Sequence, residues 1–155
     1  MPIAGTANGI SPAWHPSGRK LAYDLLPDDG HHRIVVRDLV TGQQQSTAVA
    51  SLNITPAFAP DGQRMTVTLS REGNPEIYIF SLASRTLTRL TNNPSIDTEA
   101  IWSPDGGTIY FTSDRGGGPQ IYKMTQDGLN VQRVTFNMGS YNSRARISPD
   151  GKKIT

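Results

Sequence analysis

Cysteine is absent from the chain, which excludes disulfides, thiolate metal sites and cysteine nucleophiles. That absence is neutral about compartment, because oxidising compartments hold cysteine-free proteins too. Long apolar runs are missing as well. No window approaches the ~18 consecutive apolar residues of a membrane helix, so no membrane insertion is expected. The first residues, Met1-Pro2-Ile3-Ala4-Gly5, lack the basic and apolar regions of a signal peptide. An excess of one charge is lacking too: 15 Lys and Arg against 13 Asp and Glu leave a formal charge of only +2. The basic residues (Arg19, Lys20, Arg33, Arg37, Arg64, Arg71) are scattered and form no stripe flanked by stacking aromatics, which argues against a nucleic-acid partner.

Motifs that carry chemistry are equally scarce. No GxSxG elbow, HExxH helix, EF-hand loop or Walker loop occurs. Gly116-Gly117-Gly118-Pro119 has no following helix whose N-terminus could hold phosphate, and reads as a loop. His31-His32 are adjacent, so on a strand they point to opposite sides and share no metal; they read as solvated loop residues. Asp28-Asp29 lie in a Pro/Gly loop and read as turn residues. His15 reads as a variable turn position. The expectation is a protein without catalytic residues, cofactor or metal.

What the chain does contain is turns and a period. It has 15 Gly and 11 Pro, and they interrupt every window in which a helix could run. Four segments align without gaps: Ser11-Pro12-Ala13-Trp14-His15-Pro16-Ser17-Gly18, Thr55-Pro56-Ala57-Phe58-Ala59-Pro60-Asp61-Gly62, Glu99-Ala100-Ile101-Trp102-Ser103-Pro104-Asp105-Gly106 and Arg144-Ala145-Arg146-Ile147-Ser148-Pro149-Asp150-Gly151. Their turn prolines are spaced 44, 44 and 45 residues apart. A large apolar residue stands two positions before each proline (Trp14, Phe58, Trp102, Ile147) and another five after it (Leu21, Met65, Ile109, Ile154), which predicts a hairpin with a repeating core register. Proline presets φ for such a turn, Asp bonds its own backbone, and Gly takes the positive φ that closes it.

Two further strands complete each repeat, one beginning at Ile34, Ile77 and Ile121 and one rich in Thr and Arg. Four antiparallel strands per ~44 residues describe a β-propeller blade, so the predicted fold is all-β. Residues 1–10 are expected to form an N-terminal arm. Blades are expected at 11–54, 55–98 and 99–143, with the first part of another at 144–155. Propellers usually close with ~4–8 blades. The count therefore implies either self-association of two copies through open blade edges or one part of a longer chain, and a stop at Thr155 inside a strand fits the latter.

Connections in an up-and-down blade alternate between two rims. One rim repeats the Pro-Asp-Gly turn. The other collects the loops between the second and third strands with the links between blades, and its sequence varies. Variation on a rigid scaffold is where binding specificity sits. The candidate partner-binding residues there are Asn53, Asp97, Thr98, Glu99, Tyr141 and Asn142.

These residues resemble a known family. Ser11-Pro12-Ala13-Trp14, Thr98 to Gly106, Phe111-Thr112-Ser113-Asp114-Arg115-Gly116-Gly117, Pro119-Gln120-Ile121-Tyr122, Arg133-Val134-Thr135-Phe136 and Gly139-Ser140-Tyr141-Asn142 look like the WD40-like PD40 repeat, and specifically like the TolB family of the Tol–Pal system. The resemblance runs from about residue 10 to 155. It implies a periplasmic, non-catalytic interaction module: a six-bladed propeller, preceded by an α/β domain, that binds the lipoprotein Pal over the mouth of its channel. It also implies that a calcium ion can sit in the channel, though no residue here is assignable to it. Propellers of prolyl-oligopeptidase-like peptidases share the repeat and are the alternative; there the hydrolase lies elsewhere in the chain.

Overall fold

The computed structural model describes residues 9–48 and 55–155, and the candidate Asn53 lies outside the described residues. Three four-stranded antiparallel sheets follow one another along the chain. The first contains β1 (Gly9–Trp14), β2 (Lys20–Leu25), β3 (Arg33–Asp38) and β4 (Gln44–Ala48). The second contains β5 (Ala57–Phe58), β6 (Arg64–Leu69), β7 (Glu76–Ser81) and β8 (Leu87–Arg89). The third contains β9 (Asp97–Trp102), β10 (Thr108–Ser113), β11 (Gln120–Thr125) and β12 (Gln132–Arg133). Each sheet is paired in sequence order, as in a propeller blade. β9 begins two residues before the boundary expected at 99, and β1 takes up the last two residues of the expected N-terminal arm.

The Pro-Asp-Gly turns form as their residue types require. Gly18, Gly62, Gly106 and Gly151 adopt φ of 67–74° and donate their amides to His15, Ala59, Ser103 and Ser148. Asp61, Asp105 and Asp150 each accept an amide two residues on, while Ser17 does so in the first copy. The Ser103 hydroxyl and the Gly107 amide hold the Asp105 carboxyl below the usual carboxylate range. After β12 the chain makes a further hairpin in which Ile147 pairs with Ile154 in a single antiparallel bridge.

The two larger core clusters lie between blades. Ala22 and Ile34 of the first sheet pack against Met65, Val67, Tyr78 and Phe80 of the second. Ala59 and Ile77 of the second pack against Ala100, Trp102, Ile109, Phe111, Tyr122 and Met124 of the third. The valine, isoleucine, methionine and phenylalanine side chains among these contribute about 1.5–3 kcal/mol each when fully buried. Polar bonds tie the same seams: the Thr66 hydroxyl donates to the Ala100 carbonyl at 3.1 Å, and Arg64 lies 5.2 Å over the Trp102 ring.

Three expectations need correction. Trp14 occupies the core position of the repeat but is 63% exposed: no described sheet precedes the first in the way that the second precedes the third and covers Trp102. His15 is not a bland turn residue: its Nε2 is 3.0 Å from the Gly62 carbonyl and its ring stands edge-on to Phe58, joining the first two blades. His32 is not solvated either. The loop turns His31 outward and His32 inward, and His32 Nδ1 lies 2.8 Å from the fully buried Asp24 carboxylate. Burial raises the Asp24 pKa, and His32 offsets part of that rise.

A glycine outside the Pro-Asp-Gly turns also joins two blades. Gly128, in the turn after β11, has φ +84°, and a Cβ there would stand 2.7 Å from the Leu90 carbonyl oxygen. Gly128→Ala is therefore expected to destabilise the fold by about 1–3 kcal/mol in a urea titration, since both the strained φ and a backbone clash oppose it.

Candidate protein-docking rim

Strand alternation places the loops at 26–32, 70–75 and 114–119 on one rim, beside the inter-blade links at 90–96 and 134–144. Hydrogen bonds between these segments support the grouping. Asn74 donates to the Asn93 and Ser95 carbonyls at 2.7 Å, Ile96 donates its amide to Asp114 at 2.8 Å, and the Asn142 amide donates to the Pro119 carbonyl at 2.8 Å. Beneath them, Glu76 and Gln120 occupy equivalent buried positions. Glu76 accepts from Thr91, from the Asn93 amide and from Arg89. Gln120 accepts from Thr135 at 2.6 Å and from Asn142 at 3.0 Å. Each such residue anchors the link that leaves its own blade.

The candidate residues divide between surface and support. Tyr141 is 70% exposed and stands free at the rim. Thr98 is half-buried, and its hydroxyl continues a chain from Thr55 through Thr68 at 2.8 and 3.4 Å. Glu99 adopts φ +56° at an irregularity in the β9–β10 register, and accepts from Thr112 at 3.0 Å and from Arg144 Nε at 2.7 Å. Asn142 is spent on clamping its loop to Gln120 and Gly139. Asp97 is a correction: it is fully buried and ion-paired with Arg115 at 2.6 Å, so it supports the rim from below and is unavailable as a contact. Strand alternation turns Thr98 outward from β9 and Asp97 inward.

Thr98, Glu99 and Tyr141 meet around a depression of about 200 Å³ whose remaining walls are Ile96, Thr112, Asp114, Pro119 and Ser143. Ile96 is 48% exposed, and Phe136 and Met138 stand exposed in the same inter-blade link as Tyr141. An exposed isoleucine and tyrosine framed by carboxylates and hydroxyls are the surface chemistry of a protein contact. Arg144 was not among the sequence candidates, although the aligned column Ser11, Thr55, Glu99, Arg144 already placed opposite charges in adjacent repeats. That column lines the central cleft with Pro12, Ala13, Pro56, Ala57, Ala100, Ile101 and Arg146, enclosing about 530 Å³.

Over residues 3–155 the chain matches PD40, the TolB beta propeller domain. It belongs to the TolB β-propeller family. The Tol-Pal system protein TolB of Alcanivorax borkumensis is 47% identical over 65 residues, covering 41% of this chain and 15% of that protein. The crystal structure of TolB from Acinetobacter baumannii superposes with a TM-score of 0.88 at 46% identity, over 94% of this chain and 36% of that one. A putative TolB from Agrobacterium tumefaciens gives 0.83 at 28% identity, over 93% of this chain and 52% of that one. The match thus spans about a seventh of the curated relative and about a third to a half of the solved TolB chains. Peptidase chains also superpose, at 11–17% identity, a likeness that shows the fold alone.

The calcium ion implied for the TolB channel finds no matching donor set among the described residues, where no group of three His, Asp or Glu side chains converges. Glu99, the acidic residue of the central cleft, is already neutralised by Arg144.

Proposed function

We propose that this TolB-type propeller segment is a non-catalytic docking module of the Tol–Pal system, working in the periplasm, and that its varied rim binds the lipoprotein Pal. The observation that carries the reading is the depression where Ile96, Thr98, Glu99 and Tyr141 meet at the end of an aligned stack of blades. A rigid scaffold supports it from below through the buried Asp97, Glu76 and Gln120. Such preorganisation spares a partner the cost of ordering the loops.

Within this surface Tyr141 is the expected anchor, because an exposed tyrosine offers a large amphipathic face with little rotamer entropy to lose. Titrating the chain with a soluble Pal domain by calorimetry tests the reading. Tyr141→Ala is expected to weaken binding by about 10–100-fold, equivalent to about 1.4–2.8 kcal/mol, with an unchanged thermal midpoint. Unaltered affinity on that substitution would move the contact elsewhere, and failure of the folded parent chain to bind Pal would remove the proposal.

A further inference from the structure

The outermost strands of the three blades differ in a way that the rim does not require. β8 has three residues and carries Arg89, and β12 has two residues and carries Arg133. Short length and a charge are the usual devices by which a sheet edge avoids pairing with another copy of itself. β4 has neither. It is five residues long, Gln44-Gln45-Ser46-Thr47-Ala48, with no charge, proline or glycine, and all five pair with β3 from Arg37 to Arg33. No described strand pairs with its outer side.

The register shows which backbone groups are free. Asp38 donates to the Gln43 carbonyl at 2.8 Å, so hydrogen-bonded pairs with β3 alternate from there through Gln45 and Thr47. Gln44, Ser46 and Ala48 consequently aim their amides and carbonyls away from the sheet, in a strand exposed from Gln44 to Ser46. Three outward residues centred on Ser46 form a set that is its own complement under a two-fold axis. An antiparallel mate places Ser46 opposite Ser46 and Gln44 opposite Ala48, with no like charges brought face to face. The same operation on β8 or β12 would pair an arginine-bearing strand with its own image.

We propose that β4 is a self-association edge, at which a second copy of this chain adds antiparallel across Ser46 to join two blades into one continuous sheet. The occupant is a second copy rather than an unrelated peptide because what β4 lacks, relative to β8 and β12, is the protection against self-pairing. The edge is independent of the docking rim. Pal binding and dimerisation can therefore fail separately.

Because the chain has no cysteine, a single Ser46→Cys substitution provides a direct test. Directly opposed residues of a hydrogen-bonded antiparallel pair have Cα atoms about 5.5 Å apart, within disulfide range. Mild oxidation is expected to convert Ser46→Cys to a covalent dimer at least about tenfold faster than Thr88→Cys on β8, an exposed control. Sedimentation velocity of the unmodified chain is expected to show a monomer–dimer equilibrium that Ser46→Pro weakens about tenfold or more. The two-fold axis makes one substitution remove two inter-copy hydrogen bonds, while the bonds to β3 are left in place. Equal cross-linking rates at positions 46 and 88 would overturn the proposal. So would a monomer at every concentration, or a dimer indifferent to Ser46→Pro in a variant whose circular dichroism is unchanged.

Discussion

Arg115→Ala is expected to cost the fold about 3–5 kcal/mol at neutral pH, the loss that follows when one partner of a buried ion pair is removed and the other stays buried. Asp97 is fully buried and meets Arg115 Nη2 at 2.6 Å, while Arg115 Nε donates to Ser113 at 2.9 Å. The guanidinium also lies 5.4 and 5.2 Å over the Phe111 and Tyr122 rings, so it links the rim loop to the third blade's core. Burial raises the Asp97 pKa, and Ser113 and Arg115 hold that rise in check.

A carboxyl whose pKa is higher folded than unfolded stabilises the fold below its unfolded value, near 3.9, and that contribution is lost as pH rises through the folded value. Without Arg115 the restraint goes, the folded pKa moves further up, and the penalty for ionising Asp97 grows with pH. The loss on Arg115→Ala should therefore shrink to about 1–2 kcal/mol near pH 3, where Asp97 is protonated in both states and only neutral hydrogen bonding and ring stacking are given up. Asp97→Asn in both backgrounds should remove most of the pH-dependent difference. Urea titrations of the four proteins at the two pH values measure this, and equal losses at both would refute the assignment.

Trp102→Ala is expected to cost about 3–5 kcal/mol, whereas Trp14→Ala should change stability by about 0.5 kcal/mol or less. The two tryptophans occupy one column of the repeat, so any difference comes from their surroundings. Trp102 is 7% exposed, inserted between the second and third blades with Arg64 over its ring. Trp14 is 63% exposed. Truncating Trp102 leaves a cavity bounded by the Ala59, Ile77 and Ile109 cluster, and truncating Trp14 exposes little that was covered. Thermal midpoints of the two variants, measured at one protein concentration, give the comparison. Comparable losses would mean that Trp14 is covered in solution.

The hairpin column illustrates how far the repeat carries. Pro60-Asp61-Gly62 and its counterparts could be placed from residue type and spacing alone, because a positive φ and an Asp side chain bonding its own backbone are local demands. The alternation of rims also followed, since it needs only four strands in order. These local rules led to the all-β blades and to Thr98, Glu99 and Tyr141 on one surface. Burial within a column was not local. Trp14 and Trp102 carry the same signal, and only what packs around each separates them. Asp97 and Thr98 are adjacent, and the direction of β9 sends one to Arg115 in the interior and the other to the rim. His15 and His32 found partners 47 and 8 residues away, at distances no motif reports. Periodicity and turn chemistry act over a few residues and were readable in order along the chain. Coverage depends on which blade stands beside which, and ion pairing on how the loops fold back over their strands, and only the packed structure supplies those neighbours.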